Sequence, residues 1–210
     1  MNHIIAQIGW LLVVYLLGSI PFGLIVAKAS KGVDPRLWGS KSTGATNVAR
    51  TCGAGYGLLT FVLDAAKGFV PILLATAIST HALFLSLTGL AALVGHMYSI
   101  FLQRKGGKGV ATSIGIFAAL TPGPLVWSVL LCILLIWFTG FVSVGSLSLV
   151  ASMPVFMLLA GDFAFIILGL LVMCLVFSRH RDNILRLARG EEHPWRKDDF
   201  AQSDSQAGPS

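Results

Sequence analysis

The sequence predicts an all-α integral membrane protein. First, 55% of the 210 residues are hydrophobic and 11% are charged, with a mean hydropathy of +0.81, against about 25% charged in ordinary soluble domains. Second, the apolar residues fall in long runs separated by polar stretches, and only helices or closed barrels carry a backbone through hydrocarbon. Third, 14 of the 15 Lys and Arg residues lie in three hydrophilic stretches, 28–53, 103–109 and 179–197. Cations gathered on one side mark the inside loops. The net charge of +6 lies beside apolar runs, so it suits anionic headgroups or anionic substrates rather than nucleic acid. Cys52, Cys132 and Cys174 lack the close spacing of a zinc or redox motif.

Seven spans follow in order. Ile4–Ala27 is long enough for about 30 Å of hydrocarbon, and Met1-Asn2-His3 lacks the cationic start of a secretory signal, so this run reads as a retained anchor. Leu58–Ile78 and Ala82–Leu102 come next. Val110–Leu120 and Leu125–Phe138 are short, and Thr121-Pro122-Gly123-Pro124 between them is either a turn between two spans or the tip of a re-entrant hairpin. Phe141–Ala160 and Phe163–Phe177 complete the set. With the N-terminus outside and the C-terminus cytoplasmic, the inside segments hold 5, 3 and 6 cations and the outside segments none. Lys67 is the exception, three residues after Asp64 and on the same helix face, where the two can pair inside the bundle. Residues 1–197 form one transmembrane domain, and the polar tail 198–210 reads as disordered.

The three inside segments also carry the unusual polar clusters. In the first, Gly39, Gly44, Gly53, Gly55 and Gly57 allow backbone amides to turn toward a bound group, Ser40, Thr46 and Asn47 add neutral donors, and Arg50 offers a two-pronged donor for phosphate or carboxylate. In the second, Lys105-Gly106-Gly107-Lys108-Gly109 leads into a helix N-terminus, the logic of a phosphate loop without the nucleotide pattern; a headgroup-binding turn is the other reading. In the third, His180 and Asn183 lie one helical turn apart, suited to proton handling and substrate orientation, unless His180 is one more interfacial basic residue. His96, in an apolar span, either satisfies a backbone carbonyl or Asp64 or takes part in function. His193 and Asp198 form a His-x4-Asp spacing that contains Pro194 and abuts the tail, and it reads as chance.

Together Gly18-Ser19-Ile20-Pro21-Phe22-Gly23, the loop from Gly39 to Arg50, Asp64-x2-Lys67-Gly68, Gly95-His96 through Thr112, and Arg179-His180-x2-Asn183-Ile184-x-Arg186-Leu187 resemble the bacterial acyl-phosphate:glycerol-3-phosphate acyltransferases, the PlsY family, over residues 15–192. One departure is Lys41-Ser42, where the family commonly has Gly-Asn. The resemblance implies transfer of a fatty acyl group from acyl phosphate to the sn-1 hydroxyl of glycerol 3-phosphate, the first acylation of phospholipid biosynthesis. It implies a multi-pass protein of the bacterial inner membrane with its active site on the cytoplasmic face, no cofactor or metal, and the acyl-phosphate-forming enzyme as a partner. Carried over residue by residue, Lys108, Ser40, His180 and Asn183 position glycerol 3-phosphate. Arg50, Thr46, Lys105 and Ser146 surround the acyl-phosphate head, with Asn47, Gly44, Gly106 and Gly107 completing the binding surface. The base is either His180 or the donor phosphate. A small transporter of phosphorylated anions is the alternative from another class; the confinement of the clusters to one face and the lack of a duplicated half weigh against it.

Overall fold

Pro21 breaks the first apolar run in two. Its ring removes a backbone donor and pushes Ile20 out of helical geometry. The computed structural model describes residues 2–195, in which α1 (Asn2–Ser19) therefore ends before Pro21 and α2 (Phe22–Lys31) begins after it. The two together make one apolar crossing of 29 residues, His3–Lys31. Gly32, at φ +66, closes α2 by returning its amide to the Lys28 carbonyl, a conformation that costs glycine little.

The first polar segment is more ordered than a connecting loop. It folds into α3 (Ala45–Cys52), which buries Val48 and Cys52 against Val26 and Ala27 of α2. Gly53, at φ +110, then turns the chain into α4 (Ala54–Ala75). Next come α5 (Ala82–Met97), α6 (Val110–Leu120), α7 (Pro122–Thr139), α8 (Val142–Ala160), α9 (Ile166–Arg179) and α10 (Arg181–Arg189). No strand occurs among the described residues.

Seven spans were expected; among the described residues five helical stretches are long and apolar enough to cross, or six if α9 and α10 count as one span bent by 61°. The correction lies mainly in α6. Its 11 residues rise only about 16 Å, half the hydrocarbon thickness. The fifth stretch gains what the fourth lacks: only Thr121 lies outside a helix, and Pro122 starts α7, which reaches 18 residues. Proline at a first helical position forfeits no hydrogen bond, so the apparent turn is a helix start. The tail read as disordered, and Asp198 of the His-x4-Asp spacing, lie outside the described residues.

Small residues let the helices approach. A Cβ on Gly18 would strike the Ala92 carbonyl and one on Gly95 the Tyr15 carbonyl, so α1 and α5 cross backbone to backbone. Gly68 and Gly115 do the same for α4 and α6, against the carbonyls of Thr112 and Ala65. Packed between are Ile72, Leu93, Met97, Ile116, Phe117, Leu149 and Met153. The outer face stays apolar, with Val126, Trp127, Leu130, Ile133 and Trp137 of α7 exposed, as expected when the surrounding solvent is lipid.

Candidate active site

The three polar segments converge at one end of the bundle. The Lys108 Nζ donates to Asn183 Oδ1 at 2.6 Å, Arg179 donates to the Gly106 and Gly107 carbonyls at 2.9 and 3.4 Å, and Arg50 donates to the carbonyls of His193 and Pro194 at 3.2 and 3.3 Å. Between them lies a cavity of about 300 Å3. Of the residues expected to act, Ser40, Gly44, Thr46, Arg50, Lys108, Ser146, His180 and Asn183 all line it.

Lys108 is placed by the bend at Gly109, φ +88, which caps the start of α6. Burial pushes its ammonium down to about 8, with Arg186 and Arg50 adding to the effect and Glu192 opposing it. His180, just past the end of α9, is 2% exposed, and its Nδ1 lies 2.8 Å from the Val176 carbonyl. Burial first, then the Lys108 charge, push its pKa down to about 4, so the ring is neutral at neutral pH. A carbonyl only accepts, so Nδ1 holds the proton and Nε2 keeps a free lone pair. Burial also lowers the pKa of Arg50, against the opposing charge of Glu192; guanidinium stays protonated regardless.

Four expected contacts lie elsewhere. Asn47 is fully buried; its amide donates to the carbonyls of Pro35, Trp38 and Ser42 and accepts from the Ser40 amide, so it pegs the first loop rather than facing the cavity. Lys105 is exposed outside the cavity. The amides of Gly106 and Gly107 bond back to the Met97 and His96 carbonyls, which turns them away from any ligand. Two of the five glycines of the first segment serve packing, Gly39 (φ +55) fitted against Asn47 and Gly57 against Ala49. Lys41 sits at φ +52, a left-handed conformation that glycine adopts more readily than lysine.

Glu192 is the group the sequence reading missed. Its carboxylate accepts from Asn183 Nδ2 at 2.6 Å, Ser143 Oγ at 3.0 Å and Arg186 Nε at 2.9 Å. The one available signal was an acidic pair, Glu191-Glu192, inside a basic segment. Ser42, Asp64 and His96 also reach the cavity. Among the described residues no three of His, Cys, Asp and Glu gather as a metal site. From the polar cavity a wider groove of about 1220 Å3 leads away, sharing Thr46, Arg50, Phe61 and Val142 and lined further along by Leu58 and Trp195.

The family model for glycerol-3-phosphate acyltransferases matches residues 8–190. The chain belongs to this family. The glycerol-3-phosphate acyltransferase of Nitratidesulfovibrio vulgaris is 55% identical over 90% of the chain, which spans 58% of that longer relative. That of Solidesulfovibrio magneticus is 50% identical, with 92% of this chain and 97% of the relative covered. The crystal structure of PlsY (YgiH), an integral membrane glycerol 3-phosphate acyltransferase in its glycerol 3-phosphate form, superposes with a TM-score of 0.88 at 39% identity, covering 93% of this chain and 98% of the other. Its lysophosphatidic acid form gives 0.84 at 40% identity, over 90% and 95%. Membership of the PlsY family agrees with an all-helical bundle whose polar cavity opens onto an apolar groove.

Proposed function

We propose that this protein transfers a fatty acyl group from acyl phosphate to the sn-1 hydroxyl of glycerol 3-phosphate, releasing 1-acylglycerol 3-phosphate and inorganic phosphate. The observation that carries the reading is the junction of a cavity of charged and polar side chains, with Lys108 and Arg50 on its wall, and a more apolar groove that begins at Arg50 and Phe61. A substrate pair with two phosphates and one long hydrocarbon tail fits that junction.

Lys108, Ser40, His180 and Asn183 hold glycerol 3-phosphate, while Arg50, Thr46 and Ser146 surround the donor phosphate. The sn-1 oxygen attacks the acyl carbon, the carbon–oxygen bond to phosphate breaks with its electron pair, and the hydroxyl proton finishes on the released phosphate. His180 Nε2 relays that proton, or the donor phosphate takes it directly; the second ionisation of its alkyl phosphate analogue, about 6, makes such a phosphate competent near neutrality. The donor is a mixed anhydride with a good leaving group, so the protein mainly holds the reactants together and balances charge.

In the cell this places the cavity at the cytoplasmic face of a bacterial inner membrane, with the N-terminus outside and the C-terminus inside, and makes the enzyme that forms acyl phosphate a natural neighbour. The test is purified protein with palmitoyl phosphate and radiolabelled glycerol 3-phosphate in EDTA, with palmitoyl-CoA as the comparison donor. Labelled lysophosphatidic acid from the phosphate donor alone is expected. No product from a folded sample would refute the reading and direct attention to phosphate-ester flux across vesicles.

A further inference from the structure

Three ionisable side chains meet between α4 and α5, two of them, Asp64 and His96, reaching the cavity. Asp64 and Lys67 pair at 2.8 Å with 3% of each side chain exposed. His96 Nδ1 stands 3.6 Å from the same Asp64 oxygen and 3.5 Å from Lys67 Nζ. Lys67 also lies 4.9 Å from the centre of the Phe22 ring. Ions are costly to bury, and a well-packed apolar pair commonly serves stability as well or better. A stabilising role alone therefore gives little reason for this cluster.

Its geometry leads to the loop that carries Lys108. The far edge of the His96 ring, at Nε2, lies against Gly107 so closely that no Cβ fits there. The Gly107 amide donates to the His96 carbonyl and the Gly106 amide to the Met97 carbonyl, both at 3.1 Å. Arg179, 5.6 Å from the Tyr98 ring centre, also holds the carbonyls of the same two glycines. The loop is thus held both by Arg179 and by the His96 ring, whose Nδ1 in turn stands against Asp64 and Lys67. Lys108 is the next residue, and Asp64 and His96 themselves reach the cavity.

We propose that Asp64, Lys67 and His96 form a positioning network that sets where the 105–109 loop presents Lys108, so that groups buried between two membrane-spanning helices govern recognition of glycerol 3-phosphate. This rests on the acyltransferase reading above. The three act through Lys108 and are positioning residues, not catalytic ones.

The test is the double variant Asp64→Leu/Lys67→Met, which removes both charges together and leaves no unpaired ion in the bundle. In the folded double variant kcat/KM for glycerol 3-phosphate should fall about a hundredfold, the scale of a misplacement of about 1 Å, while KM for palmitoyl phosphate stays within about threefold of the parent. Amide hydrogen exchange over residues 103–109 should quicken by roughly tenfold as that hold loosens. Parental kinetics and exchange would overturn the proposal, as would an equal loss toward both substrates. Should the double variant fail to fold, His96→Leu leaves the Asp64–Lys67 pair intact and is read the same way. A parent that makes no lysophosphatidic acid sinks the acyltransferase reading and with it the link to glycerol 3-phosphate; unchanged exchange in the variant of an active parent sinks the network alone.

Discussion

The Lys108 ammonium and the Asn183 carboxamide meet at 2.6 Å across 75 residues of sequence, joining the start of α6 to the first turn of α10. The amide nitrogen of Asn183 is meanwhile held by Glu192 at 2.6 Å, which orients the oxygen toward the lysine. Loop and terminal helix thus complete one polar wall.

Replacing Lys108 by Ala removes a charge-assisted donor from that wall. We expect kcat/KM for glycerol 3-phosphate to fall at least about a hundredfold, near 2.7 kcal/mol, with the protein still folded by thermal melting in detergent. Turnover within threefold of the parent would contradict the assigned phosphate contact.

The same lysine gives a pH dependence. Its folded pKa is lowered to about 8, so the cation is fully present below that value and is lost as pH rises through it. Affinity for glycerol 3-phosphate should be flat between about pH 7, where the ligand is already a dianion, and about pH 8, and weaken by up to about tenfold per unit above it, the bound dianion moving the limb upward. Lys108→Arg keeps its charge throughout and should abolish the limb; an identical alkaline limb in that variant would assign the titration to another group.

His180 and the donor phosphate make different acid limbs. With the imidazole pushed down to about 4, a histidine relay loses its free Nε2 only near that pH. A base supplied by the donor phosphate protonates higher, toward the value of about 6 of its alkyl phosphate analogue. Rate profiles of parent and His180→Ala decide between them: a limb near 6 that survives the substitution, with near-normal turnover, assigns the proton to phosphate.

Gly68 and Gly115 hold α4 and α6 within backbone contact. Changing Gly115 to Val sets methyl groups against the Ala65 carbonyl, and should destabilise the bundle by about 1–3 kcal/mol, read as a lower thermal midpoint in detergent. An unchanged midpoint would mean that the helices separate without cost.

The bundle was legible because apolar runs and one-sided cations follow directly from the bilayer. Span boundaries were less so, since Pro21 breaks a run that hydropathy reads as continuous and Pro122 starts a helix where a turn was expected. In the site, Lys108, Arg50, His180 and Asn183, whose charged, imidazole or amide side chains line the cavity, were legible as cavity residues from their clusters. Those whose task is to hold backbone were misjudged. Asn47 resembles a ligand donor until its three carbonyl acceptors are seen, and Gly106 and Gly107 resemble a phosphate loop until their amides are traced to Met97 and His96. Glu192 escaped notice because its partners, Ser143, Asn183 and Arg186, come from two different helices.

The carbonyls of His193 and Pro194 sit on Arg50, and the Trp195 amide reaches the Gly140 carbonyl, so the last described residues close over groups laid down far earlier in the chain. Translation therefore delivers every apolar helix to the membrane before it delivers Glu192 and the cap on Arg50. A ribosome-bound intermediate can be fully inserted in the bilayer and still lack its polar wall, which postpones assembly of the site until synthesis has passed residue 195.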